Sequence, residues 1–292
     1  MRNRAFNFIA IVLVGSIISG CNADGNEENS NEQADETITF GMTPWTSTVP
    51  PTEIAMLILE DMGYETEVTE ADAGAVYTGM SNGDIDVFMD SWLPNQENYL
   101  DEYSETIEQV TVSYEDADSG MVVPEYMEDI NDVGDIAGNE ELFDNQMYSI
   151  EEGDPATNSV DMMIEEYDLD IEQVNSSEGA MLAEATRHIE NEEPVLFYGW
   201  EPHTMFNLLD AKILTNEETP EVFSGSTVLV VAHHELEANT PEAHDMLSNW
   251  SIPIEDIEEM IVQIENEDRD AEEVAREWID NNQDRVDEMM GE

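Results

Sequence analysis

"TITFGMTPWTSTVPPTEIAMLILEDMGYETEVTEADAGAVYTGMSNGDIDVFMD", residues 37–90, decides the fold class. Its first part, "TITFGMTPW" (37–45), alternates apolar and polar residues as a strand does and runs into a turn carrying Trp45. In "TEIAMLILEDMGY" (52–64), Ile54, Leu57, Ile58 and Met62 recur at helical spacing, and Gly63 stands at the C-cap position. "ETEVTEAD" reads as a second strand, "AGAVYTGMSNGD" as a helix ending at Gly83, and "IDVFMD" as a third strand. Strand, helix, strand, helix, strand predicts an α/β domain with a parallel sheet. Open sheets of that kind bind ligands beyond the carboxyl ends of their strands. Trp45, and Trp92 in the turn expected after the third strand, both have that address.

The middle of the chain repeats the mode. "QMYSIEEGDPAT" (146–157) is a strand entering a turn and "SVDMMIEEYDLD" (159–170) a helix. "EPVLFYGWEPHTMFNLL" (193–209) reads as a strand, a turn bearing Trp200, and a helix. Further on, "STVLVVAHHEL" (226–236) is a strand, "TPEAHDMLSNW" (240–250) a helix with Pro241 at its first position, and two acidic amphipathic helices close the chain. Trp250 and Trp278 fall on apolar helical positions and are assigned to the core. Trp45, Trp92 and Trp200 instead share one topological address, which packing alone does not predict.

Charge is the outlier of the composition. In 292 residues, 71 Asp and Glu stand against 7 Lys and Arg, a formal net charge of -64, and Lys212 is the only lysine. Nucleic acid and anionic lipid head groups are poor partners for such a surface. The acids are interleaved with apolar residues, as in "PIEDIEEMIVQIENE" (253–267), which describes helices with a wet acidic face rather than disorder. At molar salt the Debye length falls to about 3 Å, and neighbouring carboxylates hardly repel one another. The composition therefore reads as adaptation to a hypersaline medium; an acidic protein built for a basic partner would cluster its acids.

At the amino terminus, Arg2 and Arg4 precede "AFNFIAIVLVGSIIS" (5–19), an apolar run short for membrane spanning that ends at "ISGC" (18–21). This pattern resembles a bacterial lipoprotein signal: cleavage before Cys21 leaves that cysteine to carry the lipid. Cys21 is the only cysteine, so no intrachain disulfide forms, and "NADGNEENSNEQADET" (22–37) has the polarity of a flexible tether. The expected organisation is a signal peptide over 1–20, a tether over 21–36, a first lobe from 37–117 and 225–292, and a second lobe from 118–224. The product is expected to be lipid-anchored on the extracellular face of the cytoplasmic membrane.

"TPWTST" (43–48), "DIDVFMDSWLPNQENYL" (84–100), "MVVPEYM" with "INDVGDI" (121–136), "IEEGDPA" (150–156) and "YGWEPHTMF" (198–206), in that order, resemble the glycine betaine binding proteins of bacterial ABC transporters. The resemblance runs from about Ile38 to the C-terminus. It implies a two-lobed, type II periplasmic-binding-protein-like α/β fold, with a hinge and a ligand cleft between the lobes. It implies no enzyme, no cofactor and no metal. The role it implies is that of a monomer that captures glycine betaine or a related quaternary amine and delivers it to a permease and its ATPase. On matching positions, Trp45, Trp92 and Trp200 would box the trimethylammonium group. That group has no N–H to donate, and the negative faces of aromatic rings attract it by about 0.5–2 kcal/mol each.

The same resemblance assigns the ligand carboxylate to backbone N–H groups of Glu152 and Gly153 if "DP" (154–155) matches the family's acidic-Pro pair. The acids Glu151, Glu152 and Asp154 would oppose it unless their side chains point to solvent. Relatives often carry a histidine shortly after "WLPN", where this chain has Gln96 and Glu97. Either Asn95 or Gln96 takes the donor role, or the pocket binds a somewhat different ligand. His203 in "GWEPH" either lines the cleft or braces the turn. Carnitine, proline betaine and choline share the quaternary head; choline ranks below the betaines because it lacks the carboxylate. A metal-capturing lipoprotein using His203, His233 and His234, or a surface protein without a transport role, are the other readings. "AHHE" (232–235) counts against metal, since adjacent strand residues point to opposite faces.

An uncharged aromatic cage suits brine, because indole faces bind strongly hydrated Na⁺ poorly. Ligand affinity is therefore expected to change less than several-fold per doubling of NaCl; a titration in which it collapses at each doubling would overturn the uncharged cage.

Overall fold

The computed structural model describes residues 37–223 and 226–291. The signal segment and the whole tether, Cys21 included, lie outside the described residues. Among the described residues, no helix is long and apolar enough to cross a membrane.

Two five-stranded sheets organise the chain. The first contains β1 (Thr37–Met42), β2 (Glu65–Glu70), β3 (Val87–Leu93), β4 (Ile107–Ala117) and β10 (Ser226–His233), in the order β2-β1-β3-β10-β4. The second contains β5 (Ser119–Pro124), β6 (Gln146–Ser149), β7 (Glu172–Asn175), β8 (Phe197–Trp200) and β9 (Ala211–Ile213), in the order β7-β6-β8-β5-β9. The chain leaves the first sheet at Ala117, enters the second at Ser119, and returns between Ile213 and Ser226.

Local chemistry explains the elements that carry the site. Helix α1 (Val49–Met62) opens on Pro50 and Pro51, whose missing N–H groups cost nothing in a first turn. It stops at Gly63, which adopts φ +101° and satisfies the last carbonyls. Helix α2 (Ala73–Asn82) is capped by the Asp72 side chain, which accepts from the Ala75 N–H, and ends at Gly83 with φ +77°. Six of the seven residues of β3 are buried, as expected of a central strand covered on both faces. Edge strand β2 carries Glu65, Glu67 and Glu70, charges that discourage pairing with another chain.

Four sequence expectations are corrected. The sheets are mixed rather than parallel: β1 runs parallel to β2 and β3, but β10 is antiparallel to both β3 and β4. The reason is that β10 arrives from the other sheet and not through a strand-helix-strand crossover, so the parallel preference does not bind it. Strand β3 continues through Leu93 and β8 through Trp200, so Trp92, paired with Val228, and Trp200, paired with Ser119, sit in their strands and not in turns. Three helices rather than two close the chain, over Ile254–Glu265, Ala271–Asn281 and Gln283–Met289, because the chain breaks at Asn282. His233 and His234 do not diverge: β10 ends at His233 and the two rings lie 4.6 Å apart. They still join no metal cluster, since among the described residues no group of three or more potential ligands comes together.

Trp250 and Trp278 are buried as assigned. The indole N–H of Trp250 donates to Ser113 Oγ (3.2 Å) and that of Trp278 to Asp256 Oδ2 (2.9 Å), so each has a structural partner.

Gly41 in β1 lets α2 approach closely, for a Cβ there would lie 2.6 Å from Val76 Cγ1. Gly41→Ala is expected to destabilise the protein by about 1–3 kcal/mol through overpacking, measured as a lowered denaturation midpoint in molar NaCl.

Candidate ligand-binding site

A cavity of about 340 Å³, open solvent at its mouth included, lies where the two sheets present the ends of their central strands. Trp45, Trp92 and Trp200 all line it. Trp45 comes from the turn after β1, Trp92 from the end of β3 and Trp200 from the end of β8. Tyr198, two residues before Trp200 and therefore on the same face of β8, adds a fourth ring, with its centroid 5.6 Å from that of Trp200. Among the described residues, no lysine or arginine lines the cavity. Burial alone would not have separated these indoles from Trp250 and Trp278, since all five are buried; the shared wall does.

Behind the indoles of the first sheet lies Asp90, fully buried in β3. Its Oδ2 accepts from Ser47 Oγ (2.9 Å) and Thr48 Oγ1 (2.8 Å), and its Oδ1 from the Tyr114 hydroxyl (2.8 Å). The Trp92 side chain adds a further donor. Since the one Thr48 hydroxyl proton goes to Asp90, the short 2.5 Å contact with Thr43 has Thr43 donating. Burial pushes the Asp90 carboxyl above its usual range while these four donors pull the other way. The network pins the 3₁₀ turn Thr46–Thr48, and with it Trp45, to the strand that carries Trp92.

On the second sheet's side, helix α5 (Glu178–Glu190) places Glu178 beside the Trp200 turn. His203 Nδ1 accepts from the Met205 N–H (2.9 Å), so Nε2 carries the proton and donates to Glu178 Oε1 (3.0 Å). The His203 ring meets Trp200 edge-on at 4.8 Å. His203 thus braces the turn and is not among the residues lining the cavity. The other oxygen of Glu178 accepts from the Thr46 N–H (3.3 Å), which crosses from one sheet's loops to the other's. A second crossing bond runs from Ser159 Oγ, in α4 (Pro155–Glu166), to Asn95 Oδ1 (3.0 Å).

Asn95 and Gln96 both line the cavity. Gln96 Oε1 accepts from the Tyr77 hydroxyl (2.9 Å) and the Trp92 N–H (3.3 Å), and Asn95 Oδ1 from Ser159. With their oxygens engaged, both side chains have amide N–H groups to offer. Glu152 and Gly153 line a different, adjoining cavity; Trp45 and Asp154 are walls of both. Among the described residues, both cis peptide bonds follow a tryptophan of the box, at Leu93–Pro94 and Glu201–Pro202.

Sequence reasoning missed Asp90, Glu178, Tyr198 and the inward course of Asp154. Two of these had a signal: an acid inside the apolar strand "VFMDSW" needs buried donors, and Tyr198 shares strand parity with Trp200.

Residues 36–281 match the family described as the substrate binding domain of ABC-type glycine betaine transport systems. Over 127 residues, 42% of this chain and 41% of the relative, the sequence is 30% identical to the glycine betaine/carnitine transport binding protein GbuC of Listeria monocytogenes. A solved ABC-transporter choline binding protein in complex with choline is 30% identical, with TM-score 0.81 over 87% of this chain and 91% of that one. The closed, glycine betaine-bound lactococcal OpuAC shares the fold at 24% identity, with TM-score 0.80 over 88% of this chain and 100% of that one.

Asp90→Ala would strand the hydroxyls of Ser47, Thr48 and Tyr114, at about 1–3 kcal/mol for each group left unsatisfied. Denaturant unfolding in molar NaCl should register a loss of at least about 3 kcal/mol, and Tyr114→Phe a smaller one.

Proposed function

The chain belongs to the family of substrate-binding domains of ABC-type glycine betaine transport systems, and on that premise we propose that it captures glycine betaine, or a close quaternary-ammonium osmolyte, outside the cell and hands it to an import permease. The observation that carries this reading is the cavity walled by Trp45, Trp92 and Trp200 and free of cationic side chains. Indole faces hold a cation that cannot donate a hydrogen bond, and the exclusion of water between them strengthens the attraction. No chemistry on the ligand is involved.

In the same reading, 37–117 with 225–292 and 118–224 are lobes that close on the ligand, and Glu178–Thr46 and Ser159–Asn95 are bonds of the closed form. The amides of Glu152 and Gly153 receive a tail carboxylate through the adjoining cavity. Cys21 carries the lipid that holds a monomer at the outer face of the membrane, beside the permease and its ATPase. Import of an osmolyte lets the cell balance a saline exterior, which the acidic surface also fits. Carnitine, proline betaine and choline are the alternative cargoes.

Intrinsic tryptophan fluorescence of the mature protein in molar NaCl should change saturably with glycine betaine or choline. Replacing Trp45, Trp92 or Trp200 by Ala should weaken binding by about 2- to 30-fold each, the equivalent of about 0.5–2 kcal/mol. Trp250→Phe, in the core, should leave affinity unchanged. Folded protein that responds to no quaternary amine would overturn the assignment.

A further inference from the structure

Asp154 is the N-cap of α4, and its Oδ1 accepts from the Ala156 N–H at 2.8 Å. Pro155 has no N–H to give, and Thr157 turns both its N–H (3.1 Å) and its hydroxyl (2.7 Å) to the Asp154 carbonyl. The anion position at this helix start is therefore filled by the chain's own carboxylate. Asp154 also stands between the indole cavity and the cavity lined by Glu152 and Gly153. A ligand whose head lies among the indoles must extend its tail past this side chain to reach those amides.

The groups that face Asp154 give it no cationic partner. Glu151 and Asp72 bear on it with like charge, and Tyr99 and Tyr198 both feel its charge. Glu152 lines the adjoining cavity with it, and Asn95 and Gln96 contribute only neutral amides to the indole cavity. Burial, with Glu151 and Asp72 adding to it and the Ala156 N–H opposing it, pushes its carboxyl up to about 7. That is within the range of ordinary saline waters, so both protonation states are accessible to a working protein.

We propose that Asp154 selects the ligand's tail: ionised, it accepts a hydrogen bond from a hydroxyl tail and repels a carboxylate; protonated, it donates to a carboxylate and loses its hold on the hydroxyl. This rests on the quaternary-ammonium reading of the indole box. The sign follows from the proton count. A betaine carboxylate, ionised throughout, binds the protonated form, so its binding takes up a proton as the pH passes above about 7 and weakens there. A choline hydroxyl binds the ionised form, and its affinity falls as the pH drops below about 7.

The test titrates the mature protein in molar NaCl with glycine betaine and with choline, at pH about 5.5 and about 8.5, in the wild type and in Asp154→Asn. Asn caps helices as well as Asp, and circular dichroism checks that the fold is kept; Asp154→Ser, also a good cap, is the second variant. In the wild type the ratio of the betaine Kd to the choline Kd should rise at least about tenfold from the acid to the alkaline condition, and in the variants stay within about twofold. Calorimetry of the wild type in two buffers of different ionisation enthalpy should find close to one proton taken up with betaine at the alkaline pH and none with choline. A wild-type ratio indifferent to pH, or one that shifts equally in the variants, overturns the selector while leaving the quaternary-ammonium site standing. Folded protein that binds neither compound at either pH overturns both.

Discussion

One buried carboxylate holds together the half of the box that the first sheet supplies. Among the described residues Asp90 has no cationic partner, and it is satisfied instead by hydroxyls from two places, Ser47 and Thr48 of the 3₁₀ turn and Tyr114 of β4, with the Trp92 side chain as a further donor. A charge so placed is tolerable only while all its donors stay in register. That requirement fixes the turn carrying Trp45 against the strand carrying Trp92. A cage for a cation needs such external support, since rings that face a ligand across a cavity are held by what lies behind them.

The second half is held by different means to the same end. Trp200 ends β8 and leans on His203, which is oriented by a backbone N–H on one side and by Glu178 on the other. Glu178 then reaches Thr46, next to Trp45. The two halves are thus coupled through a carboxylate that touches the backbone of one and the imidazole of the other. The bond to Thr46 is to an N–H and not to a side chain, so it depends on the position of the turn that Asp90 fixes.

What could be read in the sequence was whatever repeats locally. Gly63 and Gly83 announced the ends of α1 and α2, and the three tryptophans announced their address because strand ends are recognisable from alternation followed by a turn. The mixed character of the sheets was not legible, because strand direction in β10 depends on where the chain comes from and not on its own residues. Trp92 looked like a turn residue because Pro94 follows closely, yet Leu93 and Trp92 still pair with β10. The hydroxyl partners of Asp90 lie 24 to 43 residues away and the partners of Glu178 lie 25 to 132 away, beyond any local pattern. The sequence pattern puts Asp154 in a turn ahead of a helix over 159–170, whereas the helix starts at Pro155 with Asp154 as its cap, and no local pattern says which cavity lies beside that cap.

The distribution of charge follows from the same constraint. Outside, the acids are numerous and screened by salt; inside, each of the acids around the cavity is given donors rather than counter-ions. A buried ion pair would not have been screened, but it would have placed a lysine or arginine near a site whose ligand head is a cation. Hydroxyls, backbone amides and a neutral imidazole hold the carboxylates without adding positive potential. In the proposed reading, the cavity keeps a net negative surrounding that draws a cationic head inward, while the uncharged indole faces, and not a carboxylate, make the contact. Sodium would be attracted by the same field but not stripped of its water by the rings, and on that reading selectivity in brine comes from the difference in hydration.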